Sequence, residues 1–167
     1  RLITTLEGHR GSVWEVRFSP DGTTLATVSG DDTAKLWKID GSLIATLPSE
    51  RNANEGYSYG IYNVRFSPDG KTLTTASGDG TAKLWKTDGS LITTLEGHRE
   101  AVLDVRFSPD GTTLATASRD GTAKLWTNDG RLTTPLAGHS ETVGDVRFSP
   151  EGTCPATANH TATSESP

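Results

Sequence analysis

Ser29, His9 and Asp31 fall close together in the chain, and Ser118, His98 and Asp120 repeat the set at the same spacing. These are the residue types of a nucleophilic triad, in which a base takes the hydroxyl proton and a carboxylate orients the base. A triad is built once per site. This set occurs twice, each time with a Trp six residues beyond the Asp, at Trp37 and Trp126. The repetition argues for a structural role, and the chain is read as not an enzyme. His9, His98 and His139 lie 89 and 41 residues apart, too far for the close ligand spacing of a zinc site. The pairs Asp21-Gly22, Asp69-Gly70 and Asp110-Gly111 lack the alternating acidic ligands of a calcium loop. Cys154 is the only cysteine, which excludes an internal disulfide and offers no metal cluster. No metal and no cofactor is expected. Asn159-His160-Thr161 matches a glycosylation sequon, read as chance in a chain without a secretion signal.

The elements that position these residues come in copies. Val16-Arg17-Phe18-Ser19-Pro20-Asp21-Gly22 recurs unchanged at 64–70 and 105–111, and at 146–152 with Glu151 for the Asp. Residues 2–10 return letter for letter at 91–99. Phe18, Phe66, Phe107 and Phe148 are 48, 41 and 41 residues apart, so the period is 41 with seven extra residues in one copy. Each copy divides into four strands. Val13 to Phe18 is rich in β-branched and aromatic residues, and Ser19-Pro20-Asp21-Gly22 is a turn in which Pro presets φ and Gly accepts a positive one. Thr24 to Ser29 forms the second strand, Thr33 to Trp37 alternates as the third, and Asp40-Gly41 leads into a fourth from Leu43 to Leu47. Four antiparallel strands every 41 residues, with no helical periodicity, predict an all-β protein built of propeller blades.

These residues resemble the WD-repeat β-propeller family over roughly 1–153. Gly8-His9, Ser29, Asp31 and Trp37 fit its signature in the first repeat, and Gly97-His98, Ser118, Asp120 and Trp126 fit it in the third. The second repeat keeps Ser77, Asp79 and Trp85 but has Gly56-Tyr57 in place of Gly-His. The Asp that usually follows the Trp is replaced by Lys38, Lys86 and Thr127. The resemblance implies a buried chain of hydrogen bonds running Trp–Ser–His–Asp through each blade, and a second blade lacking its His link. It also implies that the residue five after the His position faces a partner at the top rim of the central channel. Those positions are Trp14, Tyr62, Leu103 and Gly144, with Gly30, Gly78 and Arg119 beside them in the next turn. Trp and Tyr are enriched at binding hot spots; the alternative is that Trp14 and Tyr62 pack between blades. The inserted residues 48–54, with Arg51 and Asn52 among them, are either a recognition loop or a tolerated insertion.

Three complete blades are expected, at about 13–47, 61–95 and 102–136, plus a partial fourth from Val143, with Leu2 to Leu6 as an orphan outer strand. The repeats run about 1–41, 42–89, 90–130 and 131–153. Residues 154–167 are a degenerate blade or a tail, in which Ser, Asp and Trp have become Asn159, Thr161 and Pro167. The absence of Met, even at position 1, suggests a chain that begins inside a longer gene product. The net charge of −5 argues against a phosphate-backbone binder, so no nucleic-acid partner is expected. No apolar run is long enough to span a membrane, residues 1–4 do not read as a signal peptide, and a cytoplasmic home is expected. The functional expectation is a scaffold for a protein or peptide partner. The alternative is a self-assembling repeat module that closes a ring by homo-oligomerisation, with no dedicated ligand; the chain is read as a homo-oligomer or part of a larger propeller.

Overall fold

The computed structural model describes residues 4–50, 59–136, 139–152 and 155–159, and every regular element among them is a β-strand. The first blade is β1 (Val13–Phe18), β2 (Thr24–Ser29), β3 (Thr33–Lys38) and β4 (Leu43–Pro48). The second is β5 (Ile61–Phe66), β6 (Thr72–Ser77), β7 (Ala82–Lys86) and β8 (Leu91–Leu95). The third is β9 (Val102–Phe107), β10 (Thr113–Ser118), β11 (Ala123–Thr127) and β12 (Leu132–Leu136). β13 (Val143–Phe148) and β14 (Pro155–Asn159) form a lone hairpin. Each of the three sheets is an antiparallel meander in sequence order, so the protein is a partial β-propeller of three blades and part of a fourth. Pro155, which cannot donate to a ladder, takes the first position of β14 opposite Phe148.

The turns explain the meander. The Ser19 hydroxyl donates to Asp21 at 2.6 Å, and the same carboxylate accepts the Thr23 N–H at 3.0 Å. Ser67 with Asp69 and Ser108 with Asp110 repeat this closure. Each donated hydrogen bond favours the ionised form, which holds the Asp21, Asp69 and Asp110 carboxyls below their ordinary range.

The core lies between blades. Val28, Ala34, Leu36 and Leu47 of the first blade pack against Ile61, Val64, Leu73 and Trp85 of the second. Ala76, Ala82 and Leu95 then meet Val102, Val105, Leu114 and Trp126. Ala115, Ala117 and Ala123 meet Val143 and Val146. The first residues of β5, β9 and β13 are buried for this reason, with Ile61 1 % and Val102 0 % exposed. β1 carries the same pattern with no inner strand before it among the described residues, so Val13, Val16 and Phe18 are 46 %, 45 % and 56 % exposed.

Candidate functional site

The strand register gives Trp14, Tyr62, Leu103 and Gly144 a common feature. Val13 pairs with Ser29 and Glu15 with Val28, which leaves Trp14 as the extra residue of a β-bulge. Tyr62, Leu103 and Gly144 are the extra residues of β5, β9 and β13 in the same way. A bulge leaves its extra residue out of the ladder and re-aims the side chain. Trp14 is 52 % exposed and Tyr62 39 %. Each aromatic leans over the glycine of its own blade's next turn: a Cβ on Gly30 would lie 3.1 Å from the Trp14 ring, and one on Gly78 3.1 Å from the Tyr62 hydroxyl. In the third blade that glycine is replaced by Arg119, which is exposed, beside a half-buried Leu103. Arg51 and Asn52 lie outside the described residues. The described start of the insertion is tied to this rim, with the Ser49 N–H on the Asp32 carbonyl at 3.2 Å and Glu50 paired with Lys83.

The buried polar chain differs from the implied one at a single member. Trp37 donates to the Thr27 hydroxyl at 2.9 Å, Thr27 meets His9 Nε2 at 2.7 Å, and His9 Nδ1 meets Asp31 at 2.9 Å. The third blade repeats this through Trp126, Thr116, His98 and Asp120, at 2.9, 2.7 and 3.0 Å. The hydroxyl between Trp and His therefore belongs to threonine and not to Ser29 or Ser118. Position along the strand is the reason. Ser29 and Ser118 end β2 and β10, where their hydroxyls accept the N–H of Asp31 and Asp120 at 3.2 and 3.1 Å. Two residues earlier, on the same face, Thr27 and Thr116 reach the indole and the imidazole. One assignment of protons satisfies the whole chain, with neutral His donating from Nδ1 and accepting at Nε2.

Burial opposes ionisation of Asp31 and Asp120, but donated bonds prevail. Thr33, the Arg10 N–H and His9 hold Asp31 well below the carboxylate range, and Thr122, the Arg99 N–H and His98 do the same for Asp120. Burial pushes the His98 imidazole down, against the pull of Asp120. In the second blade Trp85 donates to Thr75 at 3.0 Å, and Ser77 donates to the Gly60 carbonyl at 3.2 Å. Asp79 accepts from Thr81 through one oxygen, while its other oxygen is buried without a partner among the described residues. Gly56-Tyr57, where the His link is replaced, lies outside the described residues. His139 contacts Thr157 at 2.7 Å in the hairpin.

Sequence reasoning missed a second polar system, which joins the blades. Glu15 accepts the Val64 N–H at 3.0 Å and also pairs with Arg65 of the next inner strand. Asp104 accepts the Val146 N–H at 3.3 Å and the Arg147 guanidinium at 3.2 Å. Asn63 holds the equivalent position in β5, and its side-chain oxygen is buried without a partner among the described residues. The signal was present as an acid two residues before three of the four repeated arginines, at Glu15, Asp104 and Asp145. Nothing in one strand shows that its carboxylate is used by the next blade. At the opposite mouth of the channel, Phe18, Phe66, Phe107, Phe148 and the arginine before each line a cavity of about 410 Å³.

A family model described as "WD domain, G-beta repeat" matches residues 1–38, 41–86 and 89–127. A probable cytosolic iron-sulfur protein assembly protein from Ixodes scapularis is 44 % identical over 39 residues, 23 % of this chain and 12 % of the relative. A U4/U6 small nuclear ribonucleoprotein PRP4-like protein from Arabidopsis thaliana is 50 % identical over 44 residues, covering 26 % and 8 %. Eukaryotic translation initiation factor 3 subunit I from Phaeosphaeria nodorum is 44 % identical over 45 residues, covering 26 % and 14 %. The matched segments thus span only a small part of each relative.

Proposed function

The chain belongs to the WD-repeat family, whose blades serve as protein-interaction scaffolds, and we propose that it binds a protein or peptide partner on the rim formed by the bulge residues. The observation that carries this reading is the exposure of two large aromatics, Trp14 and Tyr62, at positions where the bulge aims them away from the core. Leu103 and Arg119 extend the same rim. His9, Asp31, Trp37, His98, Asp120 and Trp126, with Trp85, Asp79 and the turn serines Ser29, Ser77 and Ser118, belong to the frame that holds the rim. No catalytic role is assigned to them. A cytosolic setting is part of the proposal, as is a partner other than nucleic acid, in keeping with the net charge of −5. The family's relatives include, by name, an assembly protein and a subunit of a translation factor, which fits a role inside complexes.

The test is a peptide selected from a displayed library on the wild-type chain. Trp14→Ala with Tyr62→Ala should weaken its binding at least roughly tenfold, the scale of hot-spot truncation, while the melting temperature stays unchanged. Unweakened binding would move the site elsewhere. A collapse of the melting temperature would make both aromatics part of the packing between blades. A second association is favoured by a separate observation, the bare apolar face of β1, and we read it as contact between copies of the chain.

A further inference from the structure

One lysine recurs at the same place in the three complete blades, and each copy meets different company. Lys35, Lys83 and Lys124 stand in β3, β7 and β11, two residues before the Trp of the blade. Their partners across the ladder are Thr46, Thr94 and Pro135. Lys35 is half-buried and donates to the Thr46 hydroxyl at 2.8 Å. Lys83 is 6 % exposed and pairs with Glu50, which the inserted segment brings over it.

Lys124 is buried almost as deeply, at 9 % exposed, and has neither kind of partner. Pro135 replaces the cross-strand hydroxyl, and the connection from β8 to β9 lacks the extra residues that carry Glu50. Among the described residues the Lys124 ammonium donates only to the Thr122 hydroxyl, at 3.2 Å. A lysine is rarely buried this far unless paired, because an ammonium taken out of water needs an opposite charge to offset the loss.

A cavity of about 250 Å³ is lined by Lys124 together with Gly97, Arg99, Asp120 and Thr122. The lysine stem runs along its glycine wall, where a Cβ on Gly97 would lie 3.8 Å from Lys124 Cε. The walls are the β8–β9 connection and the turn from β10 to β11; Glu50 reaches Lys83 from the corresponding connection, between β4 and β5. Asp120 is the acidic member of the lining, and four donated bonds occupy its acceptors. One oxygen takes the Thr122 N–H and hydroxyl, and the other takes His98 and the Arg99 N–H. Arg99 is exposed and brings a second cation.

We propose that this cavity takes an aspartate or glutamate side chain of a protein or peptide partner, its carboxylate accepting from Lys124 and Arg99 as Glu50 accepts from Lys83. The site uses neither Trp14 nor Tyr62, so it stands or falls apart from the aromatic rim.

Two blocked tripeptides test it, one with glutamate and one with glutamine between two glycines, each titrated into the full chain while the amide resonances are followed. The glutamate peptide should shift Gly97, Arg99 and Thr122. The glutamine peptide should bind at least roughly tenfold more weakly, because its acceptor carries no charge. Lys124→Met keeps the apolar stem and should lose the response. Pro135→Glu sets a carboxylate across the ladder from Lys124, in the place from which Thr46 serves Lys35. It should abolish the shifts while melting at or above the wild-type temperature, which separates occupation of the site from misfolding. Equal responses to the two peptides would overturn the proposal, as would shifts strongest at Gly8 and Arg10 of the first blade. So would binding that survives Lys124→Met or Pro135→Glu.

Discussion

At the scale of single residues, the threonine in the buried chain matters more than the serine beside it. Thr116→Val keeps the shape and removes the hydroxyl, leaving the Trp126 N–H and His98 Nε2 without partners. Stranding two buried polar groups should cost about 2–4 kcal/mol. Ser118→Ala removes the turn hydrogen bond from the Asp120 N–H and the bond the hydroxyl donates to the Glu100 carbonyl, and should cost about 1–2 kcal/mol. Urea unfolding of the two variants gives the order directly, and an equal or larger loss in Ser118→Ala would contradict it. His98 adds a dependence on pH. Burial lowers its value in the fold below the ordinary 6.5, so the unfolded chain binds this proton more readily than the folded one. The stability it confers is complete above about pH 6.5 and declines as the pH falls from there through the folded value. The urea midpoint of the wild-type chain should therefore drop between about pH 7 and 5. His98→Gln should start lower and lose part of this slope; an unchanged slope would assign the proton uptake to other groups.

At the scale of elements, the turn between β2 and β3 holds a residue its counterparts avoid. Asp32 has φ +64°, where Gly80 and Gly121 have +85° and +77° at the same place. A left-handed conformation is unfavourable for a residue with a Cβ, though Asp tolerates it better than most. Asp32→Gly should accordingly raise stability by about 0.5–1 kcal/mol, seen as a rise of a few degrees in melting temperature. A fall would mean that the Asp32 side chain contributes more than the strain costs. The strands themselves were legible, because alternation, Asp-Gly turns and a 41-residue period all point to the same meander. The bulges were not. They arise from pairing between strands, and nothing in Val13-Trp14-Glu15 alone marks Trp14 as the residue left out of the ladder. The same limit explains the misassigned hydroxyl, since Thr27 and Ser29 share a face and only the cross-strand position of Trp37 chooses between them.

At the scale of the molecule, each buried cluster among the described residues joins one blade to the next, an alanine- and leucine-rich face meeting a valine-rich inner strand. The count of blades was readable from the repeats, whereas the carboxylate clasps between them were not, because they join residues about 42 to 50 positions apart. Every inner strand also places its least regular backbone at the rim. Val, Arg and Phe recur at fixed places in all four, while the bulge residue is Trp, Tyr, Leu and Gly in turn. Because that one position stands outside the ladder, its identity is uncoupled from the fit between blades. The chain thus separates an invariant grammar from a variable word, and selection or an engineer can rewrite the four rim letters one at a time without renegotiating the architecture that displays them.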